Sequence, residues 1–414
     1  MSQSKSSRPV HILPAFGHIT PLLELAKRLS ITHRITFAVS EAKLADLRSR
    51  QLLSAEEEKS ISLLSLADDL PPNFDQITDP VKIASGIAQM GPAQKELIQL
   101  MPIKNQPNGY RNLEPVDFVV SDLCMEVPIP VCKERGVPAF TFCCPGGWAV
   151  GNVLAVKEDT PASLKNWLVE CSRPFNSPRD THQFVRRLGT GSETSNCRCL
   201  PGGCGDPVYF VGPLFPELTA TLEHSTLAQQ VTSWLDRQSD RSVVYVSFGS
   251  QASLVPAQIA ELAKALLALK KPFIWSLRSR SSSICQRSFA TDWPSTRVFV
   301  SHCGWNSTLE GISAGVPIVA WPMFGDQHAN AVMVAKIGCG FPMRDVSSLA
   351  PRIVPGEEIV AAVDITATAG WDGKADGDTT YCRKVRELSR QAKEAVSKNG
   401  KSTVDFERFR RSIN

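Results

Sequence analysis

No stretch of this 414-residue sequence approaches the ~20 consecutive apolar residues that span a bilayer. Its amino end, MSQSKSSRPVHIL, lacks the apolar core of a secretory leader. Both absences lead to the expectation of a cytosolic protein with no stable membrane insertion. A dense Lys/Arg block is also missing, and 45 basic against 41 acidic residues leave a formal charge of only +4. Without a basic run that could track a phosphate backbone, nucleic acid is not expected as a partner. Cys197, Cys199 and Cys204 lie close together in CRCLPGGC, but no second Cys/His pair follows at a zinc-site spacing. They are expected to be loop thiols in a reducing compartment. A Gly-x-Gly-x-x-Gly fingerprint after the first strand is absent too, which sets a nicotinamide-dependent oxidoreductase aside.

What remains is a composition of 43% hydrophobic and 21% charged residues, close to the soluble globular average and sufficient for a sizeable core. The length exceeds one ordinary core, so two domains are expected. Short β-rich runs alternate with helical patterns, the mark of parallel βαβ units. HIL (11 to 13) leads into a helix over 19 to 30, and RITFAVS (34 to 40) is the next strand. SISLLSL (60 to 66), VDFVVSD (116 to 122) and AFTFCC (139 to 144) complete the first series. From about 151 to 206 the pattern dissolves into Pro, Gly, Ser and Cys, and no element is assigned there. A second series starts at SVVYVSFGS (242 to 250), with a helix from Pro256 to Leu269 opened by Pro at its first position. FIWSL, RVFVSHC and PIVAW are its further strands. In such doubly wound α/β sheets, ligands bind beyond the carboxyl ends of the strands.

The segment Arg297 to Asn330, RVFVSHCGWNSTLEGISAGVPIVAWPMFGDQHAN, concentrates the chemistry. The strand ends at His302, a Gly-containing turn follows, and Ser307 with Glu310 three residues on predicts a capping box at a helix start. A helix N-terminus after such a turn presents N–H groups and the positive dipole end to an anion. Capping alone does not call for His302, Trp305, Asn306, Ser307 and Glu310 at one turn. GISAG (311 to 315) matches the Gly-x-Ser-x-Gly nucleophile elbow in letters only, because a helix precedes it and a strand follows.

Two residues near the other end suggest acid–base chemistry. His18 stands just beyond the first strand at a helix start, where the dipole disfavours the imidazolium, so it reads either as a base or as a helix cap. Asp122 ends a strand, and reads either as a partner that fixes the imidazole tautomer or as a turn cap.

The 297 to 330 segment resembles the signature box of plant secondary-product glycosyltransferases of family 1: HCGWNS, Glu310, GVP, WP and the closing DQ are all present. The resemblance extends to GHxxP (Gly17, His18, Pro21), VGPL (211 to 214), WLDRQ (234 to 238), SFGS ending in Ser250, and the C-terminal SRQAKEAVSKNGKSTVDFERF. It implies the GT-B fold, an α/β architecture of two Rossmann-like doubly wound domains facing across a cleft. The implied divisions are 1–222 for the acceptor, a linker at 223–240, 241–395 for the UDP-sugar, and a helix over 396–414 that returns to the first domain. It implies His18 as the catalytic base and Asp122 as its partner. Ser250, His302, Asn306 and Ser307 would contact the diphosphate, Trp305 would pack beside the sugar, and Glu310 would hold the ribose. Asp326 and Gln327 would hold sugar hydroxyls, the final Gln favouring glucose over galactose. The implied reaction is inverting transfer from UDP-glucose, a co-substrate, to a hydroxyl of a small lipophilic acceptor such as a flavonoid, another phenolic, a terpenoid or a hormone. No cofactor and no metal are implied, because backbone dipoles and His302 would carry the leaving-group charge, and the chain is expected to act as a monomer.

The chain departs from that pattern at the start of the box. The family's Trp-Ala-Pro-Gln run, whose Trp stacks on uracil, is missing, and Trp293 precedes His302 by only nine positions, half the family's spacing. Trp293 is the one nearby aromatic that could replace it. The alternative expectation is therefore a donor-site-impaired homologue that binds a small molecule or a partner.

Overall fold

The computed structural model describes residues 9–14, 18–49, 52–67, 85–86, 88–101, 116–122, 125, 127–144, 184–188, 208–215, 226–249, 252–277, 293–346, 352–367 and 379–413. The chain divides into two compact units. One comprises Met1–Cys144, His182–Thr221 and Lys401–Asn414, and the other Pro145–Thr181 and Leu222–Gly400.

The first unit is built on a seven-stranded sheet. Its strands are β1 (Pro9–Leu13), β2 (Arg34–Ser40), β3 (Ile61–Leu66), β4 (Phe118–Asp122), β5 (Ala139–Cys143), β6 (Phe184–Leu188) and β7 (Val208–Phe210). They lie in the order β3-β2-β1-β4-β5-β6-β7. The first five are parallel, and β6 and β7 join antiparallel. Strand β6 falls inside the stretch where the sequence assigns no element. Its five residues, FVRRL, are too short and too charged to show a hydrophobic period, and pairing with β5 and β7 makes the strand.

Helix α1 (Ile19–Ser30) returns the chain from β1 to β2 and buries Leu22, Leu25, Ala26 and Leu29 against the sheet. Each buried Leu contributes roughly 1.5 to 3 kcal/mol. Helix α2 (Glu41–Ser49) follows β2, α3 (Gly91–Leu100) precedes β4, and α4 (Pro128–Glu134) joins β4 to β5. The last helix of the chain also belongs to this unit. It carries Phe406 and Phe409 into the core, where the Phe409 ring meets Phe140 edge-on at 5.2 Å and Tyr209 at 5.5 Å.

The second unit holds a five-stranded, all-parallel sheet in the order β12-β11-β10-β8-β9. Its strands are β8 (Val243–Ser247), β9 (Phe273–Ser276), β10 (Thr296–Ser301), β11 (Ile318–Ala320) and β12 (Gly340–Pro342). Helices α5 (Thr226–Leu235), α6 (Pro256–Leu269), α7 (Trp305–Ala314), α8 (Gln327–Lys336), α9 (Gly356–Ala367) and α10 (Thr380–Ala395) surround it, and α11 (Lys401–Ser412) is the helix described above. The near-continuous apolar strands VVYVS and TRVFVS fit a sheet covered on both faces.

Each sheet has one switch point, where strand order reverses and the loops after two neighbouring strands diverge to leave a crevice. In the first unit it lies between β1 and β4. In the second it lies between β8 and β10.

Candidate functional site

The switch point of the first sheet brings together His18 and Asp122. His18 is the residue before α1 and its side chain makes no capping hydrogen bond. Its Nδ1 instead lies 2.7 Å from Oδ2 of Asp122, the last residue of β4. The Asp122 side chain is fully buried, whereas that of His18 keeps 21% of its surface exposed. A buried carboxylate bonded to one ring nitrogen selects the tautomer with the proton on Nδ1 and leaves Nε2 as the acceptor. The arrangement can accept a proton and stabilise the imidazolium that results.

The switch point of the second sheet gathers the turns after β8 and β10. After β8, Gly249 adopts a left-handed φ of +71° and donates its N–H to Ser247 Oγ at 3.3 Å. After β10, the His302 N–H reaches the Ser247 carbonyl at 3.4 Å, and Cys303 turns the chain at φ +61°. The imidazole of His302 lies between Gly249 and Gly304, and a Cβ at either glycine would overlap it. Burial lowers the His302 pKa to about 4, so its ring is neutral at physiological pH. A neutral ring of this kind can hydrogen-bond an anion but brings no charge of its own.

Helix α7 begins at Trp305 with Gly304 as its N-cap, and no side chain caps it. The predicted capping box does not form, because the glycine turn lets the helix start three residues earlier than expected and puts Ser307 in its first turn. The first-turn N–H groups have no acceptor within the helix, and the N-cap Gly304 lies against the His302 ring. Trp305 is buried, its indole Nε1 unpartnered among the described residues, while Asn306, Ser307 and Glu310 are half-buried. Ser250 lies outside the described residues, as do Gly17, Cys197, Cys199 and Cys204.

Asp326 and Gln327 open α8. The Gln327 side-chain carbonyl accepts the backbone N–H groups of Met323 at 2.9 Å and Phe324 at 3.1 Å. That assignment is forced, since both partners are donors, and it makes the Gln327 amide an N–H donor toward anything beyond its own turn. The neighbouring carboxylate of Asp326 accepts from Asn330 Nδ2 at 2.8 Å.

Trp293 lies elsewhere. It precedes the amino end of β10, its Nε1 donates to Asp236 Oδ1 at 2.7 Å, and it packs on the cluster of Leu235, Tyr245, Phe299 and Val316. The six residues of β10 put roughly 17 to 20 Å between it and the turn at His302. The expectation that it could replace the uracil platform is therefore corrected.

The family model for UDP-glucoronosyl and UDP-glucosyl transferases matches residues 213–350. UDP-glycosyltransferase 71C3 of Arabidopsis thaliana is 33% identical over 96% of this chain and 96% of its own length. This chain belongs to the UDP-glycosyltransferase family. Flavonol 3-O-glucosyltransferase UGT71C4 of the same plant is 32% identical over 96% of this chain and 95% of its own. Among solved structures, Medicago truncatula UGT71G1 complexed with UDP-glucose superposes with a TM-score of 0.71 at 23% identity, covering 99% of this chain and 98% of that one. Arabidopsis thaliana UGT89C1 complexed with quercetin gives 0.72 at 20%, covering 99% and 100%. These likenesses establish the GT-B fold.

Within this family member, the sequence reading missed the residues that shape the second-sheet turns. Gly249 and Gly304 make room for the imidazole, and Asn330 ties the turn at Cys303 to Asp326. The i to i+4 spacing of Asp326 and Asn330 was the available signal. Among the described residues, no group of three or more His, Cys, Asp or Glu side chains is placed to hold a metal ion, and no helix is long and apolar enough to cross a membrane.

Proposed function

We infer that this protein is an inverting UDP-dependent glycosyltransferase that moves glucose from UDP-glucose to a hydroxyl of a small lipophilic acceptor, a flavonoid, another phenolic, a terpenoid or a hormone. The observation that carries this reading is the 2.7 Å pairing of a part-exposed His18 with the buried Asp122 at the switch point of the first sheet. His18 Nε2 takes the acceptor proton as the acceptor oxygen attacks the anomeric carbon. The bond from that carbon to the diphosphate oxygen breaks, and UDP leaves as an anion. Asp122 stabilises the imidazolium, a contribution of roughly 10² to 10⁴ in rate for general-base catalysis of this kind.

The diphosphate is held by the first-turn N–H groups of α7, by the neutral His302 ring, and by Asn306, Ser307 and Ser250. Trp305 packs beside the sugar, Glu310 holds the ribose, and Asp326 and Gln327 hold sugar hydroxyls. Residues 1–222 form the acceptor domain, 241–395 the donor domain, with the linker at 223–240 and the returning helix at 396–414. The protein works as a cytosolic monomer. That relatives include a flavonol 3-O-glucosyltransferase supports a phenolic acceptor.

A second reading is favoured by one observation: Trp293 is committed to Asp236 at the far end of β10, away from the donor turn. On that reading the chain is a donor-site-impaired homologue that binds a small molecule or a partner. Calorimetric titration with UDP separates the two. Binding in the micromolar range supports the enzyme, and none supports the homologue.

A further inference from the structure

Asn330 closes the first turn of α8 and is almost fully buried, 1% of its surface being exposed. Its side-chain amide nitrogen has two hydrogens and two acceptors. One bond runs to the Cys303 carbonyl at 2.9 Å and the other to Asp326 Oδ2 at 2.8 Å. Since both partners are acceptors, the nitrogen's identity follows from the network. The two acceptors belong to different turns, one leading into α7 and the other into α8.

Each bond constrains something specific. A trans peptide is planar with its C=O and N–H opposed, so holding the Cys303 oxygen aims the Gly304 N–H away from Asn330 and sets the peptide plane that starts α7. The bond to Asp326 is charge-assisted and selects one direction for that carboxylate. The Asn330 main-chain N–H also binds the Asp326 carbonyl at 2.9 Å, so the residue grips Asp326 twice within one helical turn.

We propose that Asn330 is a positioning residue that locks the Asp326 carboxylate in register with the N-terminus of α7, and so sets how strongly the protein prefers a UDP-sugar over UDP. The inference rests on the donor-site reading above, in which Asp326 meets the sugar and α7 meets the diphosphate. The diphosphate subsite shares its contacts among several α7 N–H groups and His302, so although Asn330 sets the one peptide plane at Gly304, that subsite largely survives its loss. The sugar subsite depends on where Asp326 points, and does not.

The test is calorimetric binding of UDP and of UDP-glucose to the full chain, as native protein, Asn330→Ala, Asp326→Ala and the double variant. Asn330→Ala is expected to weaken UDP-glucose by roughly tenfold, the scale of one lost charge-assisted bond, while UDP changes by less than about threefold. In the Asp326→Ala background, replacing Asn330 is expected to change the ratio of the two affinities no further, because the two residues act as one unit. Parallel weakening of both ligands, or additive effects in the double variant, would overturn the proposal by reducing Asn330 to a general structural role. If Asp326→Ala abolishes the preference and Asn330→Ala leaves it intact, the proposal alone fails. A native chain that binds neither ligand would overturn the donor-site reading and the proposal with it. Should the alanine chain not fold, Asn330→Asp keeps the side-chain shape while replacing both donors, and the same loss of preference is expected from it.

Discussion

The imidazole of His18 and the carboxylate of Asp122 meet at 2.7 Å although 104 residues separate them in the chain. The sheet order accounts for the meeting: β1 and β4 are neighbours, so the residue that follows one and the residue that ends the other share a crevice. Replacing Asp122 by Asn keeps the shape but favours the wrong tautomer. Asp122→Asn is expected to lower kcat by about 10² to 10⁴ with little change in UDP affinity. Steady-state kinetics with a hydroxyl acceptor check this, and an unchanged kcat would remove Asp122 from the mechanism.

Much of this was legible in the sequence because it is carried by local patterns. The strands RITFAVS and SVVYVSFGS, helix α1, and the places of His18 at a helix start and Asp122 at a strand end could be read from periodicity and position, while their roles came only from the family resemblance. What could not be read depends on tertiary placement. Strand β6 exists because β5 and β7 flank it. The start of α7 is decided by the Gly304 turn, whereas the Ser307 and Glu310 spacing pointed three residues further on. Trp293 looks close to His302 in sequence, but the intervening residues are a strand and hold the two apart.

Gln327 allows two functions to be separated. Its carbonyl holds the Met323 and Phe324 N–H groups, and a carboxylate accepts the same bonds. Gln327→Glu is therefore expected to retain the melting temperature to within a few degrees while presenting an acceptor where the native residue presents a donor. Transfer from UDP-glucose should fall by roughly tenfold or more, the scale of one lost hydrogen bond to a hydroxyl. The native chain should use UDP-glucose faster than UDP-galactose, and Gln327→His should narrow the gap. Equal rates with both donors in the native chain would contradict the assignment.

Trp293 has a structural place, so Trp293→Ala should cost roughly 1 to 3 kcal/mol of stability through the lost packing and the bond to Asp236. It should leave the relative affinities for UDP, ADP and GDP unchanged. With phosphate contacts supplying most of the affinity, the three diphosphates are expected to bind within about tenfold of one another. Loss of uracil selectivity in Trp293→Ala would place its indole at the base after all.

The pH dependence of stability follows from two buried imidazoles. Burial lowers the pKa of His11, in β1, and of His302 from the ordinary 6.5 to about 4. Both His11 ring nitrogens are unpartnered among the described residues. Because the unfolded chain binds these protons more readily than the folded one, stability is fully present above pH 6.5 and declines as pH falls toward 4. Each residue accounts for roughly 3 kcal/mol across that window. Denaturant titrations at stepped pH should show the decline, and His11→Leu should flatten it. Stability that rises between pH 6.5 and 4 would contradict the burial of both rings.

The central claim is that His18 drives sugar transfer to a hydroxyl. The most direct measurement incubates UDP-glucose and a panel of phenolic and terpenoid acceptors with the native chain and with His18→Ala, reading product masses and, in parallel, UDP affinity. The expected result is an acceptor heavier by one hexose with the native chain, that product reduced by about 10² to 10⁴ in the variant, and UDP affinity equal in both. Undiminished product from His18→Ala, or UDP binding with no hexose transferred to any acceptor, would contradict it.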